Sequence, residues 1–174
     1  MIDNFIPDMY QKSIYTINYE KLKADGIKCL LFDLDNTCAA YSVKKPTEKL
    51  TNLFQELKEK GFKIIIFSNN TKRRIEPFKN SLVVDASAKS GKPRKKKFIK
   101  IITKFNFDIS EVVIIGDQLF TDIYGGNRVG IKTILVNPIS KEELLHTKII
   151  RIFENKIYRK LSNKNILVKG KYYE

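Results

Sequence analysis

Two aspartates stand two residues apart at the end of an apolar run, in Leu31-Phe32-Asp33-Leu34-Asp35-Asn36-Thr37. A second apolar run closes the same way, in Val113-Ile114-Ile115-Gly116-Asp117-Gln118-Leu119-Phe120-Thr121-Asp122. Carboxylate oxygens brought together repel one another unless a hard cation neutralises them, and magnesium prefers a few carboxylates, water and a substrate phosphate. A magnesium site is therefore the economical reading of these acids. A third run ends in Phe67-Ser68-Asn69-Asn70, where Ser68 and Asn69 offer a hydroxyl and an amide that can donate to phosphate oxygens. Lys92, in Ser90-Gly91-Lys92-Pro93, follows a loosening glycine and can neutralise a phosphate. Taken singly, each feature has a plainer reading. The carboxylate pair can cap a loop, Ser-Asn-Asn can begin a helix, Asp122 can ligate directly, act through water or merely start a helix, and Lys92 is one of many surface cations.

The elements that must position these residues alternate between short apolar runs and segments of helical period, the pattern of an α/β fold with a parallel sheet. Strands are expected near Lys28–Asp33, Phe62–Ser68, Leu82–Val84, Glu111–Gly116 and Lys132–Val136. Helices are expected at about Thr47–Lys60, Lys72–Lys79, Pro93–Phe105 and Leu119–Val129, with Pro93 suited to a first turn and Gly61 and Gly130 to positions just past a helix end. Strands buried on both faces should be continuously apolar, as Cys29-Leu30-Leu31-Phe32, Ile64-Ile65-Ile66-Phe67 and Val112-Val113-Ile114-Ile115 are. Asp33, Asp35, Ser68, Asn69 and Asp117 then fall at the carboxyl ends of strands, where open parallel sheets place their ligand sites, with Asp122 just beyond and Lys92 able to reach that edge from its loop.

Composition narrows the chemistry. The 174 residues suit one domain, and 43% apolar with 30% charged residues describes an ordinary globular chain. No apolar stretch approaches a membrane span and the start lacks the pattern of a secretory signal, so a cytoplasmic location is expected. Cys29 and Cys38 read as reduced, packed thiols. With His146 the sole histidine, acid–base work must fall to carboxylates. The net charge of +14 favours anionic partners without choosing among them.

In order, spacing and strand context, the four elements resemble the haloacid dehalogenase (HAD) superfamily: DLDNT as its first motif, Ser68 its second, Lys92 its third and GDQLFTD its fourth. The Gly116-Asp117-Gln118 start, the Gly126-Asn127-Arg128-Val129-Gly130 stretch and the short chain are similar to the YqeG family of class IIIA, over nearly the whole length. The resemblance implies a Rossmannoid three-layer sandwich with a five-stranded parallel sheet ordered 5-4-1-2-3. It implies that Asp33 attacks phosphorus, that Asp35 protonates the leaving group and then activates water, and that Ser68 and Lys92 hold the phosphoryl oxygens. Magnesium would be held by Asp33, the backbone carbonyl of Asp35 and Asp117, leaving the part of Asp122 open. A carboxylate at Asp35 separates the chain from the dehalogenases, which lack one there, and from the cation pumps, which carry threonine. Cys38 departs from the aliphatic residue more usual in the narrower family and touches packing alone.

About 30 residues separate Asp35 from Ser68, and fewer separate Ser68 from Lys92, so neither gap holds a cap domain. An open site suits a large or surface-presented substrate. A C-terminal segment at about 141–161 sets Ile149, Ile150, Phe153, Ile157 and Leu161 at helical spacing beside Lys148, Arg151, Lys156, Arg159 and Lys160. Such a basic amphipathic helix can lie on an anionic membrane or pack on the domain. The N-terminal extension, residues 1–26, with Phe5, Ile6, Met9, Tyr10, Ile14 and Tyr15, has the same two readings, as does the run Arg94-Lys95-Lys96-Lys97. The YqeG family is similar to phosphatidylglycerophosphate phosphatases, so the leading expectation is hydrolysis of the terminal phosphate of that anionic phospholipid to phosphatidylglycerol, with peripheral membrane contact. Nucleic-acid ends, for which no aromatic-rich basic module is evident, or other phosphorylated metabolites are the alternative substrates. A binding protein that kept the fold without the chemistry is a third reading, weakened by the presence of every catalytic position.

Overall fold

The computed structural model describes residues 2–140 and 145–174, with the backbone alone at 145–149. At its centre, β2 (Cys29–Phe32) pairs in parallel with β3 (Lys63–Phe67) on one side and β5 (Val112–Gly116) on the other. Beyond them lie β4 (Asp85–Ser87) and β6 (Lys132–Val136), and β1 (Met9–Gln11) adds a sixth parallel strand outside β6. The sheet order is β1-β6-β5-β2-β3-β4. The five expected strands keep their expected order, and the count is corrected from five to six by a strand drawn from the N-terminal extension.

Alternation along the strands divides the apolar residues between two faces. Leu30, Phe32, Ile64, Ile66, Val113 and Ile115 pack with Tyr19 and Leu22 of α1 (Tyr19–Ala24), Leu50, Phe54 and Leu57 of α2 (Glu48–Glu59) and Ile75, Phe78 and Leu82 of α3 (Lys72–Leu82). Leu31, Ile65, Phe67 and Ile114 pack with Phe98, Ile101 and Ile102 of α4 (Lys95–Lys104) on the other face. The result is three layers. Between Asp35 and Ser68 the regular elements are α2 and β3 alone, so no cap domain is inserted there.

Several boundaries differ from expectation. Leu82 belongs to α3, which ends at Val83 in a left-handed turn, so the fourth strand starts at Asp85 rather than Leu82. Pro93 precedes α4 instead of opening it, because Arg94 is still extended. The segment after β5 is a π-helical turn, Leu119–Ile123, before α5 (Tyr124–Val129). Gly126 lets α5 approach the sheet, since a Cβ there would lie 2.6 Å from Ile114 Cγ2 and 2.7 Å from Thr133 Cγ2.

The chain ends are packed. Met9 and Ile14 enter the main core, while Phe5 and Tyr10 join Leu119, Ile123, Leu135, Ile157, Leu161 and Leu167 in a third apolar cluster under α6 (Leu145–Asn163). Residues 141–144, where the basic helix was expected to begin, lie outside the described residues, as do the side chains of His146, Lys148 and Ile149. Arg94, Lys95 and Lys96 are exposed. Both cysteines are free and buried. Among the described residues no helix is long and apolar enough to cross a membrane.

Candidate active site

The strand ends deliver the acids to one place. Asp33 follows β2, its backbone N–H donating to Ile115 O at 2.9 Å, and Asp117 follows the adjoining β5. The π-helical turn carries Asp122 back toward the strand, where its Oδ2 accepts from Gln118 N at 3.2 Å. Asp33, Asp117 and Asp122 are buried and offer oxygens within 4.8 Å of one another. Lys92 enters from the loop before α4 and donates to Asp33 Oδ1 and Asp122 Oδ1, each at 2.7 Å.

Asn69 and Ser68 shape that approach. Asn69 Oδ1 accepts from Lys92 N at 2.8 Å and Ser90 Oγ at 2.9 Å, and its Nδ2 donates to Lys92 O at 3.0 Å. The Asn69 side chain, expected to face phosphate, is thus engaged in fixing the lysine loop. Ser68 Oγ is buried and accepts from Asn70 N at 3.1 Å, leaving its own proton available to donate.

Asp35 stands apart from the three clustered carboxylates. Its Oδ1 accepts from Arg74 Nε and its Oδ2 from Asn70 Nδ2, both at 2.9 Å. Arg74 also donates to Ala40 O at 3.2 Å and to Val43 O, tying the loop after Asp35 to α3. Asp117 is held from two sides, by Thr37 Oγ1 on its Oδ1 at 3.1 Å and by Arg151 of α6 on its Oδ2.

Burial pushes Asp33 well above the usual carboxylate range, against the pull of Lys92 and with the repulsion of Asp122, Asp117 and Asp35. Burial likewise raises Asp117 to about 6, opposed by Arg151. Burial disfavours the Lys92 ammonium, yet Asp122 and Asp33 together outweigh it and hold the group above its ordinary value. Among the described residues, Asp33, Asp117, Asp122 and the buried Glu154 face the cations Lys92 and Arg151, an excess of negative charge that one divalent cation would balance. Hard oxygen donors and this charge fit such a cation.

Sequence reading missed Arg74, Glu154 and the inward role of Arg151. Their contacts reach across 39, 34 and 34 residues, which no motif spacing reports, and Arg151 sits in what reads as a solvated basic face. Thr37 was visible inside DLDNT, without its partner.

A family profile described as haloacid dehalogenase-like hydrolase matches residues 5–130. A probable phosphatase, YqeG of Bacillus subtilis (strain 168), is 38% identical over 160 residues, 92% of this chain and 93% of that protein. Phosphatidylglycerophosphate phosphatase 1 of Arabidopsis thaliana is 31% identical over 79% of this chain, which spans only 42% of that protein. Among solved structures, the cobalt-bound deoxy-D-mannose-octulosonate 8-phosphate phosphatase YrbI of Haemophilus influenzae superposes with a TM-score of 0.52 at 12% identity, covering 79% of this chain and 90% of that one. That last likeness is one of fold.

Proposed function

Because the chain belongs to the haloacid dehalogenase-like hydrolase family and is a phosphatase, we propose that it cleaves phosphate monoesters through an aspartyl phosphate on Asp33, with magnesium as its cation, and that its substrate is phosphatidylglycerophosphate. The observation that carries the chemistry is the buried lysine joining Asp33 to Asp122 beside Asp117. Asp33 attacks phosphorus while Asp35 gives a proton to the departing alkoxide; Asp35 then takes a proton from the water that attacks the aspartyl phosphate and returns Asp33. Lys92 and the Ser68 hydroxyl hold the phosphoryl oxygens, and Asn69 sets the position of Lys92. Asp33, Asp117, Asp122 and the Asp35 carbonyl are the groups to hold magnesium, which supplies charge neutralisation for the phosphoryl group.

Acid–base help from Asp35 contributes about 10²–10⁴-fold, far below the acceleration phosphatases reach. Alignment and charge stabilisation around Asp33 must supply most of the rest.

The lipid reading draws on the Arabidopsis relative's name, on the absence of a cap between Asp35 and Ser68, and on apolar side chains near the site. Ile139, 50% exposed, follows β6 and donates its N–H to Asn36 O at 2.9 Å, next to Asp35. Ile152 and Phe153, 63% and 48% exposed, adjoin Arg151. These side chains suit peripheral contact with an anionic bilayer on the cytoplasmic side. Purified protein with magnesium is incubated with phosphatidylglycerophosphate in anionic vesicles, beside soluble sugar phosphates and 5′-phosphorylated oligonucleotides. Phosphate release from the lipid that vanishes in Asp33→Asn is expected; no release from lipid with turnover of a soluble or polynucleotide phosphate overturns the substrate assignment.

A further inference from the structure

Among the described residues, Arg151 is the side chain by which helix α6 reaches Asp117. Arg151 Nη1 donates to the backbone carbonyl of Asp117 at 2.9 Å, and Nη2 donates to Asp117 Oδ2. The same Nη1 lies 2.9 Å from Glu154 Oε2, one helical turn on. Glu154 is buried, and its Oε1 accepts from Phe120 N at 2.8 Å. The Arg151–Glu154 pair thus grips the segment after β5 at two points, Asp117 and Phe120.

An isolated guanidinium on Asp117 would oppose a bound cation by charge. Glu154 offsets that charge, so the arginine can fix the direction of the carboxylate without expelling the ion. Thr37 fixes the other oxygen. Hydrogen bonds of this kind to ligating carboxylates change metal affinity by about 10–100-fold when removed.

We propose that Arg151, braced by Glu154, is a positioning residue for the divalent cation, holding Asp117 in its ligating orientation from the C-terminal helix. The inference rests on the cation assignment made above. Its consequence is that cation affinity depends on the docking of α6, an element outside the four motifs.

Manganese, followed by the electron paramagnetic resonance of the free ion, is titrated into the full-length wild-type protein, Arg151→Met, Arg151→Lys, the double variant Arg151→Met with Glu154→Gln, and Asp117→Asn. The double variant removes both charges of the pair, so that a folded protein without the clamp is available if Arg151→Met alone unfolds. Weakening by about 10–100-fold is expected in Arg151→Met and in the double variant, with partial recovery in Arg151→Lys, which keeps one donor but not the fork. Affinity equal to or tighter than wild type in a folded Arg151 variant, while Asp117→Asn loses the ion, overturns the inference and leaves the cation site standing. Wild type and Asp117→Asn binding alike overturns the cation assignment and the inference with it.

Discussion

The Lys92 ammonium donates to the Asp33 carboxylate across 2.7 Å, joining residues 59 positions apart. The same nitrogen holds Asp122, so its removal takes away the cation that Asp33 and Asp122 share and leaves two buried acids facing each other. Lys92→Met should lower the stability of the metal-free protein by about 3–5 kcal/mol, the range for breaking a buried pair on one side. It should also lower kcat by about 10²–10³-fold, as losing an electrostatic donor to a developing charge does. Denaturant melts in chelator and steady-state kinetics check the two effects, and an unchanged midpoint would show that Lys92 does not offset the acids.

Gly116 ends β5 where Asp122 folds back over it, and a Cβ at that position would lie 2.2 Å from both Cγ and Oδ2 of Asp122. Asp122 cannot swing aside without leaving Lys92 and Gln118 N. Gly116→Ala should therefore displace the carboxylate, lowering stability by about 1–3 kcal/mol as overpacking does and kcat by about 10²-fold through misplacement. A thermal melt and a kinetic assay of the purified variant measure both.

How far this arrangement could be read beforehand follows from what leaves a trace in sequence. Continuous apolar runs such as Leu30–Phe32 and Val112–Ile115 are written by burial on both faces, and they fix where a strand ends and hence where Asp33 and Asp117 emerge. Strand β1 left no such trace, because Met9–Gln11 is three residues long and ends in a polar side chain. The start of β4 was misplaced because Leu82 is apolar for the sake of α3 rather than of a strand. Arg74 and Arg151 were hidden among 33 basic residues, since a charge that pairs across the fold looks the same in sequence as one that faces water.

Arg74 Nε donates to Asp35 Oδ1 at 2.9 Å while its other nitrogens hold the carbonyls of Ala40 and Val43. The guanidinium fork thus aims Asp35 and closes the loop that follows it. Arg74→Met should lower kcat by about 10–10²-fold, part of the 10²–10⁴ that a positioned acid–base group supplies. Arg74→Lys should not restore it, because one ammonium nitrogen cannot reach acceptors that the three guanidinium nitrogens reach separately. The loss should be larger for an alkyl phosphate, whose leaving group needs a proton, than for p-nitrophenyl phosphate, whose leaving group does not. Equal losses on the two esters would separate Arg74 from the proton transfer.

The buried acids also set a pH dependence with a definite sign. Burial raises Asp117 to about 6 against the pull of Arg151, and raises Glu154 to about 7 against the same arginine and the Phe120 N–H. Both values lie above those of the unfolded chain, so the folded protein retains protons that the unfolded chain releases. The stability these groups contribute is complete below the ordinary carboxylate range and is lost as pH rises through about 6 for Asp117 and about 7 for Glu154. Metal-free protein should accordingly melt at progressively lower temperature from about pH 5 to about pH 8. Cation binding requires the ionised carboxylates and releases their protons, so the rise in melting temperature produced by magnesium should grow over the same interval. Paired melts in chelator and in magnesium across that range test both slopes. A chelator profile that stays flat would mean that Asp117 and Glu154 are already ionised without the cation, with Lys92 and Arg151 sufficient to hold them so.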